Sequence, residues 1–468
     1  MTTETGSELD FQPATEADMT FIRELIEGER LDNERLEARQ FITLRENGRI
    51  LAVGRIKPYE RTYELGSVCV VPDARNRGLG ERITRELVRR FPQDEVYITT
   101  DQRVGLPGYY ERLDFLCTEL LPDELETKCE RIRAEGHRDP VGMIYDRTIE
   151  RMPTIADVYR AKHVIEGKLP RTPLVYSAAL SRELGFEAHV KLESLQPIGA
   201  FKVRGGVYLA STLSNEEKAR GIIGASTGNH GQSLAYGAKL AGARCVIAMP
   251  VEANPMKVES MRALGAEVAF HGANFEDARV WAEEHAQSQG MRYVHHINTP
   301  ELVAGVATLS LEIVEDLPDV DVIVTPVGGG SGVLGHLLVA KALRPGVEVV
   351  AVQAAGAPAV YESWRERCLK RAPIDTAAEG LATGQAYYVA IKTMIEKLDD
   401  MLLVSEEEMR EAVVTYLRTL HVVAEESGAA ALAGATQIRE RLAGKKVALV
   451  LSGGNMTMDG LRRVVSKI

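Results

Sequence analysis

The sequence predicts an α/β protein in two parts: a smaller α+β domain followed by a larger domain on a parallel sheet. Three observations carry that expectation. A chain of 468 residues is longer than one comfortable domain. From about Arg151 short apolar runs alternate with longer helical segments: "GIIGAST", "GQSLAYGAKLAG", "ARCVIAMP", "NPMKVESMRALG", "AEVAFHG" and, farther on, "VDVIVTPVGGG" and "KKVALVLSGG". Alternation at this spacing makes βαβ units and a sheet covered on both faces. Residues 1–125 instead string together strand-like runs, "RQFITLRENGRILAVGRIKPY" and "TYELGSVCVV", before an amphipathic helix from about Gly80 to Arg90. Between the two parts, 126–150 is charged and reads as a helical connector with little core of its own. The expected division is therefore 1–125, a connector at 126–150, and 151–468.

Composition narrows the function classes. Hydrophobic residues make up 45% and charged residues 26%, which is globular. The net charge of −11 argues against nucleic acid as the main partner. The five cysteines are scattered with no CxxC pair, so reduced thiols, no zinc site and a cytoplasmic location are expected. The N-terminus lacks a signal pattern, and no apolar run is long enough to span a membrane.

Three glycine-bearing loops follow strands in the second part: "STGNHGQ" (226–232), "PVGGGSGVLG" (326–335) and "SGGN" (452–455). Loops at the carboxyl ends of parallel strands form the ligand crevice. Successive N–H groups feeding a helix N-terminus cradle an anion, so 328–332 reads as a phosphate cup. Its spacing is not that of a P-loop, so ATP is not indicated. Lys202, in "ESLQPIGAFKVRGGVY", sits beside Phe201 among glycines. It is either an ordinary surface turn or an amine held for chemistry. A lysine in a dry site forms a Schiff base with an aldehyde cofactor, and pyridoxal 5'-phosphate carries both the aldehyde and a phosphate.

"GAFKVRG", "STGNHGQ", "VGGGSG" and "LSGGN", in that order, make the stretch from about 151 to 468 resemble the tryptophan-synthase-β-like pyridoxal phosphate enzymes. Within them the likeness is to threonine/serine dehydratases and serine racemases. The resemblance implies a two-lobed α/β domain, with a mobile small lobe roughly at 221–298. It makes Lys202 the Schiff-base lysine and Phe201 the aromatic packed on the cofactor ring. It gives Asn229 to the ring hydroxyl, Ser452 to the pyridine nitrogen and Glu425 to the ring's surroundings. Gly328, Gly329, Gly330, Ser331 and Gly332 become the phosphate cup. Ser226, Thr227, Gly228, Asn229 and His230 become the grip on the substrate carboxylate. A serine opposite the ring nitrogen suits β-elimination.

The implied reaction is conversion of L-threonine and/or L-serine to 2-oxobutyrate or pyruvate and ammonia. Racemisation through Thr227, β-replacement, or action on another β-hydroxy amino acid such as 3-hydroxyaspartate are the alternatives. Gln353 fills the place of a metal-binding glutamate, so no metal is expected there. "AGVAT" at 304–308 departs from the family's "AGQGT", so substrate preference is open. No amino-acid-sensing domain is expected after "SGGN". The family usually forms homodimers or homotetramers.

In the first part, "VCVVPDARNRGLG" (68–80) ends a strand and starts a helix. Its R-x-x-G-x-G turn places N–H groups where a pyrophosphate binds. With "YYERLDF" (109–115) it resembles the GNAT N-acetyltransferases. That resemblance gives an acetyl-CoA or acyl-CoA loop at Val70, Arg75, Asn76, Arg77, Gly78, Leu79 and Gly80. It makes Tyr110 the acid for the departing thiolate. Glu64 is a possible base, or otherwise a solvated strand residue. The domain is then either an acetyltransferase or a sensor of acyl-CoA.

Overall fold

A computed structural model describes residues 9–102, 105–136, 139–253 and 255–465. It divides into two compact units, Met1–Glu150 and Arg151–Ile468.

In the first unit a sheet runs β1 (Leu9–Pro13), β2 (Phe41–Glu46), β3 (Arg49–Pro58), β4 (Tyr63–Val70), β5 (Glu95–Asp101), β7 (Pro140–Asp146) and β6 (Leu116–Thr118), in that spatial order. Asn47 and Gly48 turn β2 into β3 with positive φ at both, the geometry an Asn-Gly hairpin favours. Four helices accompany the sheet: α1 (Met19–Gly28), α2 (Leu79–Arg90), α3 (Leu106–Glu111) and α4 (Asp123–Ala134). Ile83 and Leu87 of α2 are buried against Leu44, Leu65, Val96 and Ile98 of the sheet. The parallel pair β4–β5 is joined only at Glu64 and Tyr97, so the two strands diverge beyond that point.

The stretch 126–150 is not a connector. It supplies most of α4 and the whole of β7, which pairs with β5 along its full length. Its charged appearance misled because α4 buries only a narrow side, Leu125 and Cys129.

The second unit holds two sheets. The smaller is all parallel, in the order β12 (Glu267–Phe270), β11 (Cys245–Met249), β10 (Ile222–Ala225), β13 (Arg292–Tyr293). The larger runs β16 (Asp400–Val404), β15 (Glu348–Ala354), β14 (Val322–Pro326), β17 (Lys446–Leu451), β9 (Glu187–Leu192), β8 (Leu174–Tyr176). Only β8 in that sheet is antiparallel to its neighbour. Valine- and leucine-rich strands such as β14 and β17 are buried on both faces, as parallel strands require.

Helix α5 (Val203–Thr212) runs between α6 (Asn229–Ala241) and α7 (Pro300–Asp316). A β-carbon on Gly206 would lie 2.0 Å from the Ser233 carbonyl oxygen, and one on Gly205 2.9 Å from that of Leu302. The glycine pair after Lys202 therefore serves helix crossing.

Where α5 begins, Arg204 is wholly buried in a charged cluster. Its guanidinium donates to both oxygens of Glu193 at 2.8 Å and to the two oxygens of Glu312 at 2.8 and 2.9 Å. The buried Lys191 adds a bond to Glu312 at 2.6 Å and one to the Thr172 carbonyl at 2.7 Å. Two cations meet two carboxylates, and the cluster closes without net charge. Breaking such a pair strands an uncompensated charge. Arg204→Leu is expected to remove about 3–5 kcal/mol from the second unit, read as an earlier midpoint in a urea titration.

Among the described residues, Cys69, Cys129 and Cys245 are free and buried. No helix there is long and apolar enough to cross a membrane.

Candidate active site

The glycine loops converge at the carboxyl ends of parallel strands. After β10 come Ser226, Thr227 and Gly228, leading into α6. After β14 come Gly328–Gly330, leading into α8 (Ser331–Leu343). After β17 comes Ser452–Asn455.

Lys202 is the last residue before α5, and its Nζ donates to Ser331 Oγ at 2.7 Å. Burial lowers its pKa from 10.5 to about 8. The Phe201 ring lies 5.2 Å from Nζ, and a β-carbon on Gly332 would sit 3.3 Å from that ring. Amine, aromatic and glycine loop are thus in mutual contact. The turn is held by the "SGGN" loop. Phe201 N–H donates to the Ser452 carbonyl at 3.0 Å, Gly454 N–H to the Gly199 carbonyl at 2.9 Å, and Ala200 bridges Gly453.

A phosphate fits the 328–332 loop on observation. Gly330 adopts φ +117°, and a β-carbon on Gly329 would lie 2.1 Å from Ile297 Cδ1, so the loop is close-packed backbone. Ser331 opens a helix of 13 residues, whose N-terminal N–H groups favour an anion.

The 226–230 loop is braced from inside. Ser226 Oγ accepts from Gly228 N–H at 3.1 Å and from Gly231 N–H at 2.9 Å. Thr227 lies half-buried at its tip. Asn229 donates from Nδ2 to Glu425 Oε1 at 2.9 Å and accepts from Asn455 Nδ2 at 2.8 Å. Asn455 also donates to the Ile198 carbonyl. Burial pushes the Glu425 carboxyl up; its bond to Asn229 acts the other way. As a bare sequence feature Glu425 reads as a surface charge; in the fold it is the partner of Asn229. His230 is buried, its Nε2 lacks a partner, and burial presses its pKa down to about 3, with Lys202 contributing.

Sequence reasoning left four residues beside these loops unassigned. Asn455 was present in "SGGN" and went unassigned. Lys257, from a helix of the small-sheet lobe, forms an ion pair with Glu379, one residue from the Gly380 carbonyl that lies over Gly328. The pair His295–His296 follows β13. Gln353 is buried in β15, its Oε1 taken by the Tyr361 N–H at 2.8 Å. No cluster of three metal-ligating side chains occurs among the described residues.

In the first unit, Gly78 precedes α2 with φ +72° and Asn76 has φ +62°. Arg75 donates to the Val70 carbonyl and pairs with Glu29 at 2.5 Å; Arg77 pairs with Glu46 at 2.7 Å. Leu79 is buried. A β-carbon on Gly80 would be 3.1 Å from the Tyr109 hydroxyl. Tyr110 lies in the core between Tyr109 and Phe115, and burial holds its phenol protonated. Glu64 is not solvated. It is buried, takes Lys128 Nζ at 2.7 Å on each oxygen, and accepts from Tyr59 at 2.8 Å and from Thr99.

Residues 165–453 match the family of pyridoxal-phosphate dependent enzymes. The chain belongs to that family. Residues 9–115 match the acetyltransferase (GNAT) family, so the first unit is a GNAT domain. The chain is 37% identical over 317 residues to an L-threonine ammonia-lyase of Thermotoga maritima, covering 68% of this chain and 79% of the relative. It is 35% identical to a catabolic L-threonine dehydratase of Staphylococcus aureus, covering 67% and 92%. Among solved structures, maize serine racemase superposes with a TM-score of 0.64 at 28% identity, covering 67% of this chain and 97% of that one. The processed form of tomato (Solanum lycopersicum) threonine deaminase isoform 2 gives 0.63 at 29%, covering 67% and 91%. All four overlay about two-thirds of the chain.

Only the unprotonated form of a lysine amine attacks an aldehyde. With its pKa lowered to about 8, Lys202 has a far larger unprotonated share near neutrality than an ordinary lysine. The rate at which cofactor-free protein takes up pyridoxal phosphate should therefore rise with pH and level off above about 8. A stopped-flow absorbance series checks this; a midpoint near 10.5 would remove the depressed amine from the account.

Proposed function

We propose that the second unit is a pyridoxal phosphate-dependent ammonia-lyase converting L-threonine and/or L-serine to 2-oxobutyrate or pyruvate and ammonia. The observation that carries this reading is the Lys202 amine seated on Ser331 of the glycine loop. The threonine ammonia-lyase and dehydratase names of the relatives support the substrate class.

In this reading Gly328–Gly332 and the start of α8 would hold the phosphate, Phe201 would pack beside the ring, and Asn229 and Ser452 would hold its hydroxyl and nitrogen. Bound there, the cofactor supplies an electron sink for negative charge at the substrate α-carbon. The N–H groups at the start of α6, with Ser226 and Thr227, orient the substrate carboxylate. Lys202 Nζ takes the α-proton, which an amine of lowered pKa does near neutrality. The β-hydroxyl departs as water, and water returns when ammonia is released. L-threonine thus becomes 2-oxobutyrate and ammonia with no net water. A serine opposite the ring nitrogen leaves that nitrogen without a carboxylate partner, which favours elimination.

The first unit, in this reading, binds acetyl-CoA or another acyl-CoA at the turn Arg75–Gly80. Glu64, the candidate base, is neutralised by Lys128, which favours a sensor over an acetyltransferase. A homodimer or homotetramer is the family's expectation, and a cytoplasmic location follows from the cysteine pattern.

Purified protein supplied with pyridoxal phosphate should release 2-oxobutyrate from L-threonine or pyruvate from L-serine, and Lys202→Ala should abolish both. Release of neither product would reject these substrates. For the first unit, calorimetry should find acetyl-CoA binding with no CoA released in the presence of amines. Arg77→Ala should alter that affinity several-fold, since this side chain borders the turn.

A further inference from the structure

The sequence "YVHHIN" (293–298) places adjacent histidines directly after β13. His295 fixes the turn. Its Nδ1 accepts from the N–H groups of Ile297 at 3.2 Å and Asn298 at 3.0 Å, which puts its proton on Nε2. Its carbonyl accepts from Thr299 Oγ1 at 2.7 Å. The turn presents His296 into a box of rings. His295 is stacked on it at 4.7 Å, Tyr387 and Phe275 meet it edge-on at 5.2 and 5.8 Å, and His230 lies at 6.1 Å. These neighbours set the plane of the His296 ring.

The ring faces the glycine loop. Ile297 fills the space a side chain at 329 would need, and His296 Nε2 lies 3.6 Å from the same point. Lys202 Nζ reaches the loop at Ser331. Burial is the main cause that keeps the His296 ring neutral; His295, His230, Lys202 and Arg279 each add to it, and the remaining titratable neighbour, Tyr387, is itself held protonated by burial. A neutral imidazole keeps one N–H to donate.

We infer that His296 is a side-chain donor to the phosphate held by Gly328–Gly332, supplementing the backbone N–H groups of the loop. This rests on the reading of that loop as the cofactor's phosphate cup. A backbone cup alone gives the phosphate no side-chain donor from the small-sheet lobe. His296 lies in the turn three residues after β13 of that lobe, so the bond ties the lobe to the cofactor.

The test compares pyridoxal phosphate with pyridoxal, which has the aldehyde and ring but no phosphate. Binding of each to cofactor-free protein is titrated by absorbance, and bound phosphate is followed by ³¹P NMR. His296→Phe keeps the aromatic packing and removes the donor. It should weaken pyridoxal phosphate by ~10-fold, move the ³¹P resonance, and leave pyridoxal binding unchanged. His296→Gln restores an N–H and should recover part of the loss. Equal weakening of both compounds would make His296 a packing residue and overturn the inference, as would no weakening of either. Wild-type protein that takes up neither compound would instead overturn the reading of the cup, and this inference with it.

Discussion

Everything proposed for Lys202 depends on a buried ionic cluster two residues away. Arg204 cannot leave its place without stranding Glu193 and Glu312 in the interior. Glu193 begins the segment that follows β9, and Arg204 lies in the first turn of the helix that ends it. The intervening residues, which carry Phe201 and Lys202, are pinned at both ends. Glu312 brings α7 into the same cluster, and the close glycine approaches set α5 against α6 and α7. The amine is thereby held against Ser331 by the fold, in surroundings dry enough to lower its pKa.

The second layer of order joins the two sheets of that unit. Asn229 leaves the smaller sheet and meets Glu425 and Asn455 of the larger-sheet side. Lys257 does the same with Glu379. These polar links border the crevice, so the groups that close it also position its ligand-facing loops. Asn229 bridges the lobes through these two bonds.

The parallel sheet, its glycine loops and Lys202 were legible because each has a local signature. Apolar strands end in glycines, and a lysine stands among small residues. The role of the glycines after Lys202 was not legible. Gly205 and Gly206 look like room for a ligand, but what they accommodate is the backbone of distant helices. Arg204 was silent for the same reason, since its partners lie 11 and 108 residues away. In the first unit the turn at Gly78 was readable. The burial of Glu64 was not, because a glutamate on a strand looks alike whether water or Lys128 meets it. The stretch 126–150 failed as a connector because a helix with a narrow buried side resembles a solvated one, and β7 gains its place only by pairing with β5.

The most direct test of the central claim is borohydride reduction of the protein with pyridoxal phosphate, followed by peptide mass mapping. The account predicts one stable adduct, on the peptide carrying Lys202, that competing L-threonine diminishes. An adduct on Lys257 or on surface lysines instead, with Lys202 unmodified, would contradict it.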